Sequence, residues 1–110
     1  MLSAILITRN EAHNLEDCLA SLKDLADEIV VVDTQSSDDT VAIAQKFGAE
    51  VAQPEDWPGF GPQKNRALAL ATQPWVLSID ADERVTPELA AEINVAIGRD
   101  RKSTRLNSSH

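Results

Sequence analysis

Trp75-Val76-Leu77-Ser78-Ile79-Asp80-Ala81-Asp82-Glu83-Arg84 carries a strand and a chemical motif in ten residues. Trp75 to Ile79 is apolar and β-branched enough for a buried strand, and the polarity then changes at once. Asp80 and Asp82 therefore stand one residue apart at the strand's exit. Hard divalent cations take oxygen ligands, commonly one or two carboxylates plus phosphate oxygens, so this pair could present a metal-bound diphosphate to a second substrate. An Asp-x-Asp pair is common in so acidic a chain, and the rest of the sequence has to supply its context.

The same switch from apolar run to polar loop occurs twice upstream. Leu2 to Ile7 leads into Thr8-Arg9-Asn10-Glu11, and Glu28-Ile29-Val30-Val31-Val32 ends at Asp33. Between them Leu15, Cys18, Leu19 and Leu22 recur at helical spacing, with Asn10 or Asn14 placed to cap the first turn. After Asp33, Ser36 with Asp39 fits a capping box, and Val41, Ala44 and Phe47 form the inward stripe of a second helix stopped by Gly48. Glu50 to Gln53 suits a short edge strand. Pro54, Pro58, Pro62, Gly59 and Gly61 then enforce an irregular loop, and Pro62 opens a third helix whose stripe includes Leu68 and Ala71. Beyond the motif, Thr86 caps and Pro87 starts a fourth helix with Leu89, Ile93 and Ile97 on one face, as far as Gly98.

Strands alternating with helices predict an α/β fold with a doubly wound, mainly parallel, Rossmann-like sheet. Ligands bind such sheets beyond the carboxyl ends of the strands, and all three polar clusters, Thr8 to Glu11, Asp33 to Asp39 and Asp80 to Glu83, fall there.

Composition narrows the functional classes. A hydrophobic content of 43% argues for a folded domain, while 110 residues is short for an enzyme that encloses two substrates, so a piece of a larger domain is expected. The net charge of −8 opposes nonspecific binding to nucleic acid or anionic lipid. Four of the ten basic residues, Arg99, Arg101, Lys102 and Arg105, crowd into the last twelve positions against Asp100 alone. Residues 1–98 are left with six basic and seventeen acidic side chains, a charge of −11. The division expected is a domain at 1–98 and a disordered, foreign-looking basic tail at 99–110. Cys18, the only cysteine, excludes an internal disulfide and reads as a small buried apolar residue. No signal peptide or spanning segment is recognisable, which predicts a soluble cytoplasmic domain.

Thr8, Asn10, Glu11 and Asp33 offer donors and acceptors able to read a base and ribose; ordinary loop capping is the alternative for Asn10, Glu11 and Asp33. Ser36, Asp38 and Asp39 read first as helix capping. Gly59-Phe60-Gly61-Pro62-Gln63-Lys64-Asn65 joins a flexible loop, a helix start and a lysine into a plausible anion site, although Lys64 suits a solvated face equally well. His13 has no nucleophile or metal-ligand spacing around it and reads as a surface or capping residue.

Thr8-Arg9-Asn10-Glu11, Asp33-Thr34-Gln35-Ser36-Ser37-Asp38-Asp39-Thr40, Gln63-Lys64-Asn65 and Asp80-Ala81-Asp82-Glu83 together resemble, in order and spacing, the family 2 glycosyltransferases of the GT-A fold. Within that family the chain is most similar to the bacterial subgroup that adds glucose to heptose in the lipopolysaccharide core. The likeness covers Met1 to about Gly98, the nucleotide-sugar-binding part of the domain. It implies that Thr8, Asn10, Glu11 and Asp33 hold the nucleoside, with Ser36 a further nucleotide-sugar contact. Lys64 would lie near the diphosphate, Asp80 would reach the ribose, and Asp82 would bind the divalent metal, Mn²⁺ or Mg²⁺.

The activity implied is inverting transfer from a nucleoside-diphosphate sugar, UDP-glucose by likeness, to a saccharide or glycolipid acceptor. The family's general base comes from downstream sequence with no counterpart here, so no catalytic residue is assigned and the chain alone is expected to be inactive. The full-length protein could lie peripherally at the inner membrane. A noncatalytic nucleotide-binding or interaction module and a metal-dependent nucleotidyltransferase are the rival readings.

Overall fold

The computed structural model describes residues 1–98. The tail assigned to 99–110 lies outside the described residues. Eight elements alternate: β1 (Leu2–Thr8), α1 (Ala12–Leu22), β2 (Glu28–Asp33), α2 (Thr40–Lys46), β3 (Glu50–Ala52), α3 (Phe60–Leu70), β4 (Trp75–Ser78) and α4 (Pro87–Ala96). The strands form one sheet in the order β3-β2-β1-β4. Every pairing is parallel, with Thr8 opposite Asp33 and Ile5 opposite Ser78. The sheet runs outward from β1 through β2 to β3 and then returns to place β4 on β1's other side. Because crossovers keep one hand, that reversal moves the connecting helix to the opposite face.

Burial follows from the alternation of side chains along a strand. Ala4 and Leu6 of β1 and Val31 of β2 face Leu15, Cys18, Leu19 and Leu22 of α1, Ala44 of α2, and Ile93 of α4 with its C-cap Ile97. Ile5, Val30 and Val32 face the other way, against Ala67 of α3 and the partly buried Leu70 and Val76. The doubly wound arrangement therefore has three helices over one face and α3 alone over the other.

Several local expectations are corrected. The capping box does not form: α2 begins at Thr40, its N-cap Asp39 makes no side-chain cap bond, and the Ser36 hydroxyl is taken by Asp33. Neither Asn10 nor Asn14 caps α1; its N-cap is Glu11, and the amide of Ala12 is met by Asp38 Oδ2 at 3.2 Å from the next loop. The third helix starts at Phe60, two residues before Pro62, because a proline within the first turn removes no intrahelical hydrogen bond. Its inward face is Gln63 and Ala67, whereas Leu68 is 44% exposed and Ala71 is the C-cap. The fourth helix is as expected: Thr86 Oγ1 accepts the amide of Leu89 at 3.1 Å, with Pro87 as its first residue.

Candidate functional site

All four strands end on one rim of the sheet, and that rim carries a buried polar network. Asp33, with no exposed surface, accepts the Thr8 hydroxyl at 2.7 Å, the Ser36 amide at 2.9 Å and the Ser36 hydroxyl at 2.5 Å. Ser36 Oγ accepts the amide of Asn10 at 2.8 Å, and Asn10 Oδ1 accepts the amide of Ser37 at 2.8 Å. The two loops thus close on each other through their side chains. Asn10 (φ 52°) and Gln35 (φ 46°) take the left-handed conformation needed to turn both loops outward within a few residues of the strands. Glu11 is tied in by its own amide, which donates to Thr40 Oγ1 at 2.9 Å. Asp38 accepts both the amide and the hydroxyl of Thr40, and these bonds hold its carboxyl below the usual range, the hydroxyl contributing most.

The proline-rich loop folds over this rim. Gln63, fully buried at the start of α3, donates to Thr34 Oγ1 at 3.0 Å and accepts from Arg66 at 2.8 Å. Arg66 also pairs with Asp56 at 2.8 Å, which keeps the Asp56 carboxyl low. Gln35 Nε2 reaches the Glu55 carbonyl at 2.8 Å. Trp57 and Phe60, thus positioned, pack edge to face with ring centroids 5.0 Å apart.

The turn after β4 is anchored from α1. Cys18 Sγ lies 3.6 Å from the Asp80 carbonyl, and Ser21 Oγ accepts the amide of Val85 at 3.0 Å. Arg84 donates to the carbonyls of Ala81 and Glu83. Ala81 is buried between Asp80 and Asp82, so both carboxylates face outward. Glu83 folds back to accept the Asp80 amide at 2.9 Å. Among the described residues neither the Asp80 nor the Asp82 carboxylate has a hydrogen-bonding or ion-pair partner within the protein.

Two adjoining clefts result. One, of about 370 Å³, is lined by Thr8, Arg9, Glu11, Thr34, Trp57 and Phe60 together with Ile7. The other, of about 260 Å³, has Lys64 and Asp80 on its walls and shares Ile7 and Phe60 with the first. It lies between β1 and β4, where the strand order reverses. The structure therefore gathers Thr8, Glu11, Lys64 and Asp80 around the clefts and sets Asn10, Asp33 and Ser36 behind them as the supporting network. Asp82 sits two residues beyond, on the turn, and lines neither. Arg9 and Lys64 make no ion pair among the described residues, leaving two free cations on the rim of an acidic domain.

No group of three His, Cys, Asp or Glu side chains able to enclose a metal ion occurs among the described residues. Two outward carboxylates without protein partners suit instead an ion that shares its ligands with a diphosphate. Phe60 and Gln63 stand in the loop expected as an anion site but had no role of their own in the sequence, and Trp57 had none. The aromatic pair had a signal: the chain has only four aromatic residues, and two of them lie three positions apart in a Pro/Gly loop.

The parallel sheet order and the helices on both its faces define an α/β domain of the GT-A kind. Residues 3–103 match the family model Glycosyl transferase family 2, and the chain belongs to that family. An uncharacterised glycosyltransferase of Rickettsia conorii is 47% identical over 92 residues, 84% of this chain and 32% of that protein. The lipopolysaccharide core biosynthesis glycosyltransferase LpsC of Rhizobium meliloti is 39% identical, across 88% of this chain and 40% of its own length. Among solved structures, S. aureus TarS 1–349 superposes with a TM-score of 0.77 at 30% identity, over 89% of this chain and 32% of that one. Glucosyl-3-phosphoglycerate synthase of Mycobacterium tuberculosis, solved with Mn²⁺, UDP and glucosyl-3-phosphoglycerate, gives 0.66 at 28% identity, over 76% and 35%. The chain thus spans about a third of the length of the first curated relatives it matches.

Proposed function

We propose that this chain is the donor-binding part of an inverting, metal-assisted glycosyltransferase that takes a UDP-sugar, glucose by likeness, and serves saccharide assembly in the lipopolysaccharide core or cell envelope. The observation that carries the proposal is the pair of clefts at the switch point, one walled by Thr8 and Glu11, the other by Lys64 and Asp80. Likeness to LpsC and to a synthase solved with UDP and Mn²⁺ supports the donor and acceptor classes.

In this reading Thr8, Asn10, Glu11 and Asp33 hold the nucleoside, Asp33 and Ser36 chiefly by fixing the loop that faces it. Asp80 accepts from the ribose, and Lys64 sits beside the diphosphate as a point charge. Asp82 would hold the divalent ion, Mn²⁺ or Mg²⁺, which when bound neutralises charge gathering on the departing nucleoside diphosphate. Removing the acceptor's proton requires a general base, which is assigned to sequence beyond the third of the relatives' length spanned here. Among the described residues no helix is long and apolar enough to cross a membrane, consistent with a cytoplasmic site or a peripheral one at the inner membrane.

Calorimetric titration with UDP, with and without Mn²⁺, tests the reading. UDP affinity should rise at least tenfold with Mn²⁺ in the wild type and lose that dependence in Asp82→Ala. Equal Mn²⁺ dependence in both proteins would remove Asp82 from its role. In a chain carrying the relatives' full length, sugar transfer supports the enzyme, pyrophosphate release a nucleotidyltransferase, and neither product a noncatalytic module.

A further inference from the structure

Trp57 and Phe60 are 44% and 76% exposed, and neither belongs to either core cluster. An isolated exposed aromatic needs no explanation, but this pair sits on the rim where ligands bind such sheets. Its loop is held by side-chain bonds at several points: Gln35 to Glu55, Arg66 to Asp56, and Gln63 to Thr34. Gly59, at φ 108°, makes the turn that starts α3 at Phe60 itself. An edge-to-face pair uses one ring face and one ring edge, so each ring keeps a face free. Phe60 also borders both clefts, with Thr8, Arg9, Glu11 and Thr34 on one side and Lys64 and Asp80 on the other.

We propose that Trp57 and Phe60 form the platform on which the base of the nucleoside diphosphate stacks, Phe60 dividing the cleft for the base from the cleft for the ribose and diphosphate. This rests on the donor-binding reading above and adds residues to it. A cleft of about 370 Å³ is at the small-ligand end of binding-site sizes, and its mixed wall, with Thr8, Glu11 and Thr34 beside an aromatic lip, matches a nucleobase better than an apolar peptide segment. Each cleft has one cation, Arg9 or Lys64, but Trp57 lines only the first, which sets the orientation: base toward Thr34 and Trp57, ribose and phosphates toward Asp80 and Lys64.

The test uses the 110-residue chain with Trp75→Phe, which leaves Trp57 as its sole tryptophan. Trp75 begins β4 opposite Leu2, six residues, or about 20 Å, down the sheet from Thr8, so the change spares the rim. Three probes are titrated with Mg²⁺ present: UDP, uridine and inorganic pyrophosphate. UDP and uridine should quench Trp57 fluorescence and pyrophosphate should not. Phe60→Ala should weaken UDP and uridine binding about tenfold or more and leave pyrophosphate unchanged, and Phe60→Tyr should restore both. Both side chains are outside the core, and unchanged thermal unfolding verifies that the variants fold. UDP binding with Trp57 unquenched and Phe60→Ala at wild-type affinity would overturn this proposal while leaving the donor-binding reading intact. Absence of UDP binding to the unsubstituted chain would overturn both.

Discussion

Asp33 is a carboxylate with no exposed surface that accepts three hydrogen bonds from Thr8 and Ser36. Removing it strands buried donors, so Asp33→Ala should cost about 3 kcal/mol in urea unfolding, whereas exposed Asp82→Ala should be neutral in stability. Cys18 is fully buried in the core, and that burial pushes its thiol up to about 11. The native thiol should therefore resist a disulfide reagent at pH 8 and react once unfolded. Its contribution to stability is complete below the ordinary thiol value of 9.0 and is lost as the pH rises toward 11, because the unfolded chain releases its proton first. Asp33 was readable in sequence as a strand-end carboxylate, since an apolar run stops at it. Its binding to Thr8 was not, because that partner lies 25 residues away and meets it only through the parallel register.

At the scale of elements, the helix ends are served from different distances. Helix α4 caps itself, and Thr86→Ala should cost about 1 kcal/mol of unfolding free energy. That cap was legible because Thr86-Pro87 is a local signal. The start of α1 takes its acceptors from Thr40 and Asp38, 29 and 26 residues further on and beyond β2, so no window of sequence around α1 could reveal them. Ser36 offered a capping pattern and was drawn off by a nearby carboxylate. Gln63 hid for a related reason: a buried glutamine leaves no mark in an apolar stripe. The far rim is pinned by Glu28, which accepts from Ser3 and Thr72, and the Ser3 hydroxyl foremost holds its carboxyl below 4.5. Its stabilisation is present above pH 4.5 and fades as the pH falls through the lowered native value. Glu28→Gln should flatten that part of the acid-unfolding profile and, the group being partly exposed, cost only about 1 kcal/mol at neutral pH.

For the whole molecule, the order β3-β2-β1-β4 determines where chemistry can occur. Reversal of direction at β1 opens the space between β1 and β4, and the parallel register brings the residues after Thr8, Asp33 and Ser78 to the same rim. The net charge of −8 repels anions at long range, so the nucleotide binding proposed above would have to rely on Arg9, Lys64 and the divalent ion of that proposal. Amide chemical shifts recorded while UDP and Mg²⁺ are added resolve the site residue by residue. Shifts are expected at residues 8–11, 33–40, 57–64 and 80–83, with the opposite rim, residues 23–29 and 47–50, unmoved. Shifts confined to that opposite rim, or none at saturating nucleotide, would contradict the proposed site.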